Sequence, residues 1–181
     1  MNTKAARAIL VEELRSVVDA NLRMIDALGS FPSACLSPAT SEAVDRISSS
    51  ARRQISLLDA IFARLDLPAS GGRSDGVRGI LRELEEVTFL AGGWDPHSID
   101  VRLIPLLRKL LAYRSASLKS LLVVAHAVGF SYMETAAAEA LKLDLTEERY
   151  LDEISSGIVH LNFADSYGEA QRSIEELAHC H

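Results

Sequence analysis

Residues 110–129, LLAYRSASLKSLLVVAHAVG, are a run of helix formers and aliphatic side chains with an arginine, Arg114, near the start. Steps of three and four carry Leu103, Leu107 and Leu110 into Arg114 and Ser117, and onward to Leu121, Val124 and Val128. A full positive charge therefore falls on the inward stripe of a long helix. Either a partner meets it there, or its stem covers apolar surface while its head reaches water. The choice depends on what the other segments bring to the same level.

The helical period recurs along the chain, and no strand-like alternation competes with it. Thr3 to Leu28 places Leu10, Leu14, Val17, Met24 and Leu28 on one stripe, closed by Gly29 and Pro32. A second stripe begins after Ser37-Pro38 and runs through Val44, Ile47, Ala51, Leu58, Ile61 and Leu65 to Asp66-Leu67-Pro68. ASGGRSDG, residues 69–76, has loop composition, Val77 to Leu90 reads as a shorter helix, and AGGWDP interrupts again. Asp95 or Ser98 caps the third long helix, Pro105 falls near its first turns, and Gly129 ends it. A fourth runs from Ser131 to Ile154, and beyond SSG a final amphipathic helix follows.

This reading gives an all-α chain forming one domain over residues 1–181. Its core helices lie at about 3–28, 39–66, 97–128 and 131–154, with a partly helical crossover at 67–96 and a C-terminal helix at about 164–178. Two tight hairpins joined by a long crossover have the connectivity of a ferritin-like four-helix bundle.

Each long stripe is interrupted by polar residues near its middle. They are Asn21 on the first helix, Gln54 with Ser50 beside it on the second, Arg114 and Ser117 on the third, and Asp144 and Glu147 on the fourth. Four interruptions at one level would make a single layer of the bundle. Ferritin-like proteins hold two metal ions in such a layer, with carboxylates and imidazoles balancing the metal charge.

Specific segments resemble the YciF-like family, stress-associated bacterial ferritin-like bundles of uncertain function. ELRSVVDANLRMIDAL (residues 13–28) is similar to that family's ELxDLYDAExQLxxAL, and RRQISLLDAIFARLDL (52–67) to its RGQxERLEQIFELLG. DPHSIDVRLIPLLRKLLAYRSASLKSLLVVAHAVG (95–129) looks like its third helix, which opens with Asp-Pro and contains a Glu-His-Tyr-Glu-x-Ala block. AAEALKLDLTEERYLDEI (137–154) is similar to its fourth, LLxETLxEExxxDxxL. The resemblance covers about Glu13 to Leu151 and implies a ferritin-like fold and a homodimer, with the crossover and Leu106, Leu118 and Leu122 as candidate contacts.

The departures from that pattern fall on the metal ligands. Asn21 stands where the family has the glutamate of its DAE motif, and Ser50 where it has the second glutamate of Glu-Glu-Thr. Ile47 replaces a common histidine, and Leu111 to Arg114 replace the Glu-His-Tyr-Glu block. Asp144 and Glu148 alone keep anionic groups. One carboxylate facing a guanidinium cannot balance two metal ions. The expectation is a layer of Asn21, Ser50, Gln54, Leu111, Arg114, Asp144 and Glu148 that holds no metal or other cofactor, with Arg114 paired to Asp144. The function expected from this is a non-catalytic, metal-free scaffold or interaction module rather than an enzyme, with the Arg114–Asp144 pair in place of a dinuclear metal centre. Two competing readings are a reduced redox metal site on Asp144, Glu148 and Glu147, and a small-ligand cavity near Ala112, Ala116 and Ala140.

Composition narrows the partners. A net charge of -6 disfavours nucleic acid and anionic membrane surfaces, and no spanning segment appears, because Lys119 and His126 interrupt the apolar stretch Leu118 to Phe130. Glu12 and Glu13 break any signal-like run, so a cytoplasmic protein is expected. Cys35 and Cys180 make no metal or redox spacing and read as free thiols. His126 reads as a core or interface histidine, and His179, Cys180 and His181 as a tail without a role. Glu83, Glu85 and Glu86 read as a solvated face, and Tyr113, Tyr132 and Tyr150 as packing residues with hydroxyls at the rim. SGGRSDG lacks the preceding strand that a phosphate-binding loop requires.

Overall fold

Helix boundaries follow local chemistry. In the computed structural model, which describes residues 3–178 and the side chains of residue 5 and residues 7–157, the helices are α1 (Thr3–Gly29), α2 (Pro38–Leu65), α3 (Asp75–Leu90), α4 (Pro96–Ala127) and α5 (Ser131–Ala178). Among the described residues there is no strand. Ser37 starts α2 from an extended backbone, its hydroxyl accepting the Thr40 N–H at 3.3 Å, with Pro38 in the first turn. Asp66 ends α2 in the left-handed region at φ 54°. Asp95 caps α4 by accepting from the His97 and Ser98 N–H groups at 3.0 and 3.1 Å. Gly129, at φ 74°, turns the chain into α5.

Pro105 sits deeper in α4 than its first turns, and the helix passes through it with the ring facing solvent. A second departure from expectation is at the end of α5, which runs without a break through Ser155-Ser156-Gly157, so the C-terminal helix continues the fourth. Serine hydroxyls that look like breakers in sequence bond back along the helix here: Ser155 to the Leu151 carbonyl, and Ser156 to the Asp152 carbonyl at 3.3 Å.

Helices α1 and α5 each pack against both α2 and α4, so the bundle runs in the order α1, α2, α5, α4 around its axis. The Ser37 N–H reaches the Asp100 carboxylate at 3.3 Å where α2 and α4 both begin, which makes these two parallel and α1 and α5 their antiparallel neighbours. Helix α3 lies outside, across α4 and α1, and buries Val77, Leu81, Leu84 and Val87 there. The loop before it is tied down by Arg15, which donates to the Pro68 carbonyl at 3.2 and 3.1 Å, and by the Ser74 N–H on the Asp19 carboxylate at 2.9 Å. Its glycines are required by close packing: a Cβ on Gly72 would lie 2.0 Å from the Arg15 carbonyl oxygen, and one on Gly76 would lie 2.4 Å from the Tyr113 ring.

Two apolar clusters fill the bundle. One gathers Met24, Leu28, Ile47, Leu103, Leu107 and Leu111 with the inner face of α3, and the other gathers Leu10, Leu14, Leu58, Ile61, Leu121 and Met133. Leu106 and Leu118 belong to these clusters, 5% and 0% exposed, and Leu122 packs partly against the second. Leu106 and Leu118 are therefore not surface contacts for a second copy, because α3 and α5 cover faces of α4 that a single stripe leaves open. No helix among the described residues is long and apolar enough to cross a membrane.

Candidate functional site

The polar interruptions meet between the two apolar clusters. Asn21, Gln54 and Asp144 are completely buried, Ser50 is 3% exposed and Arg114 is 1% exposed, so the guanidinium does not extend to water. From Arg114, Nε donates to Asp144 Oδ1 at 2.8 Å and Nη2 donates to the same oxygen and to Ser50 Oγ at 2.9 Å. Nη1 donates to Asn21 Oδ1 at 3.2 Å and lies 3.9 Å from Met24 Sδ. All five guanidinium N–H groups thus have an acceptor, which is what a charge sealed from water requires.

The remaining amides close a ring. Asn21 Nδ2 donates to Gln54 Oε1 at 3.2 Å and to the Val17 carbonyl at 3.1 Å. Gln54 Nε2 donates to Asp144 Oδ1 at 2.7 Å and to the Ala140 carbonyl at 2.9 Å. One carboxylate oxygen carries every bond to Asp144, and Oδ2 is buried without a partner. Burial pushes the Asp144 carboxyl above its ordinary value, and Arg114 and Gln54 oppose that shift without cancelling it.

Not every expected member joins this ring. Leu111, one turn before Arg114, belongs to the apolar cluster beside the layer. Glu148, one turn beyond Asp144, is half-buried and accepts from Ser115 Oγ at 3.0 Å. Ser115 is the buried serine of α4, whereas Ser117 is half-buried and bonds back to the Tyr113 carbonyl at 3.1 Å. Glu147 pairs across the bundle with Arg46 at 2.8 Å, and Arg46 lies 4.1 Å over the Tyr150 ring. Neither the Arg46 pair nor the Ser115 bond is visible in a single helix's periodicity; the clue was the adjacency of Ser115 to Arg114 and of Glu148 to the Asp144 turn.

Other candidates resolve simply. His126 is exposed rather than in the core, with Nδ1 3.1 Å from Glu134, because it lies at the outer edge of the last turn of α4. Glu83 pairs with Lys109 at 2.5 Å, and Glu85 and Glu86 face solvent. Tyr113 meets the Ser74 hydroxyl at 2.9 Å, and Tyr132 lies under Arg64. Ala112 and Ala116 are exposed, so they line no internal cavity with the buried Ala140. Cys35 is a free, half-buried thiol, and His179, Cys180 and His181 lie outside the described residues.

This donor set does not fit a dinuclear metal centre. It offers one carboxylate, already bonded through Oδ1 to a guanidinium, and neutral amide and hydroxyl groups where two metal ions need several anionic ligands. Among the described residues, no three His, Cys, Asp or Glu side chains come together in a group that could hold a metal.

Residues 5–161 match the family described as a domain of unknown function, DUF892. The chain belongs to the DUF892 family. Two solved structures share its fold. The Escherichia coli stress protein YciF superposes with a TM-score of 0.78 at 18% identity, covering 86% of this chain and 97% of its own. YcfI from Rhodopseudomonas palustris, a proposed structural protein, superposes with a TM-score of 0.74 at 18% identity, covering 81% and 92%. No curated protein matches the sequence. This DUF892 chain is thus a YciF-like ferritin-like bundle, and at 18% identity the likeness extends to the fold alone.

Proposed function

We propose that this protein is a non-catalytic, metal-free scaffold or interaction module, in which the Arg114–Asp144 pair replaces a dinuclear metal centre. The supporting observation is the guanidinium itself. It fills the middle of the bundle with all of its N–H groups engaged by Asn21, Ser50, Met24 and Asp144, and its positive charge repels any cation entering the layer. A function through contact follows, with a second copy of the chain or another protein as partner. A cytoplasmic place in stress physiology is part of this reading, supported by the description of YciF as a stress protein. Sedimentation equilibrium tests the homodimer.

The test of the layer is elemental analysis for iron, manganese and zinc on untagged protein, as purified and after anaerobic iron loading and desalting. The expected result is far less than one metal per chain in both preparations. The unpartnered Asp144 Oδ2, with Glu148 one turn away, favours a single residual metal as the second reading. Near-stoichiometric metal that disappears in Asp144→Ala would establish that reading and overturn the scaffold.

A further inference from the structure

A cleft of 570 Å³ opens between the first half of α1 and the loop that leads into α3. Three arginines, Arg7, Arg15 and Arg73, line it against a single acid, Glu12, on a chain whose net charge is -6. Local charge thus runs opposite to the molecule's. Among the described residues neither Arg7 nor Arg15 forms an ion pair. Arg15 spends Nε and Nη2 on the neutral Pro68 carbonyl, which fixes the guanidinium in place and leaves its charge uncompensated. Arg73 meets Asp75 through Nε at 2.9 Å.

The loop is held in the shape that makes the cleft. Gly71 adopts φ 91°, and Gly72 lies flush on the α1 backbone at Arg15. Val11 and Leu67 supply an apolar wall beside the arginines. Planar guanidinium groups match the oxygens of a phosphate in paired hydrogen bonds, and the volume is in the range that takes a small organic molecule.

We propose that this cleft binds a small phosphorylated molecule, its phosphate held by Arg7, Arg15 and Arg73 and its apolar part resting along Val11 and Leu67. The site is separate from the buried layer and stands whether or not that layer holds metal.

Pyrophosphate is the probe, titrated calorimetrically at constant ionic strength into wild type, Arg7→Gln, Arg73→Gln and the double variant, with Arg149→Gln as a remote control. Arg7, Arg73 and Arg149 are exposed, so the variants keep the fold, which circular dichroism and the unfolding midpoint verify. Saturable one-to-one binding is expected, weakened about tenfold by each cleft substitution and unchanged in the control. Absence of saturable binding at millimolar pyrophosphate overturns the site, as does equal weakening in Arg149→Gln. A parallel arm uses phosphatidylcholine vesicles containing phosphatidic acid. Sedimentation with these vesicles, without binding of free pyrophosphate, would assign the cleft to a lipid headgroup and overturn the small-molecule proposal.

Discussion

Replacing Asp144 by asparagine keeps the side chain's shape and removes its charge. Oδ1 of Asp144 accepts two bonds from Arg114 and one from Gln54, and Arg114 is 1% exposed, so its charge has no water to fall back on. Breaking a buried pair by removing one partner costs about 3–5 kcal/mol, a large share of the ~5–15 kcal/mol that stabilises a domain. Removing both partners is different. In Arg114→Met with Asp144→Leu, Gln54 keeps the Ala140 carbonyl, and Asn21 keeps Val17 and Gln54. The double variant is therefore expected within about 1 kcal/mol of wild type. Urea unfolding followed by circular dichroism measures both, and the pair's coupling comes from the full double-mutant cycle. A change below about 0.5 kcal/mol in Asp144→Asn, the range of an ordinary surface substitution, would refute the claim that Asp144 neutralises a sealed guanidinium.

Further expectations follow from other parts of the molecule. Ser37→Ala removes the hydroxyl that accepts the Thr40 N–H and should lower stability by about 1 kcal/mol in the same assay. Gly72→Ala drives a methyl group into the Arg15 carbonyl, and a loss of about 1–3 kcal/mol is expected; an unchanged midpoint would mean that the loop does not sit on α1.

The fold was legible because a bundle is written in one period. The stripe residues Leu10, Leu14, Val17, Asn21, Met24 and Leu28 are all buried, and the polar interruptions at Asn21, Ser50, Gln54, Arg114 and Asp144 do meet. Periodicity gives the direction of one face and nothing about how wide the covered sector is. Helix α4 touches α1, α3 and α5, so Leu106 and Leu118, which look surplus to the stripe, are core, and Ser115 replaces Ser117 as the buried serine. Interactions between helices leave no such trace: Arg46 and Glu147 are 101 positions apart, and nothing in either segment announces the pair. The end of α5 misleads for a different reason, since Ser155-Ser156-Gly157 has turn composition but satisfies its hydroxyls on the helix itself.

The polar layer also separates the two apolar clusters, and that gives it a geometric role apart from energy. Leucines on either side of it would accept a helix displaced by one turn, because one aliphatic surface packs on another almost as well as its proper mate. A displacement of about 5.4 Å would carry Arg114 away from Asn21, Ser50 and Asp144 and strand its charge among leucines. The layer thus works as a key in a slot, setting how far each helix stands along its neighbours while the greasy compartments above and below only hold them together.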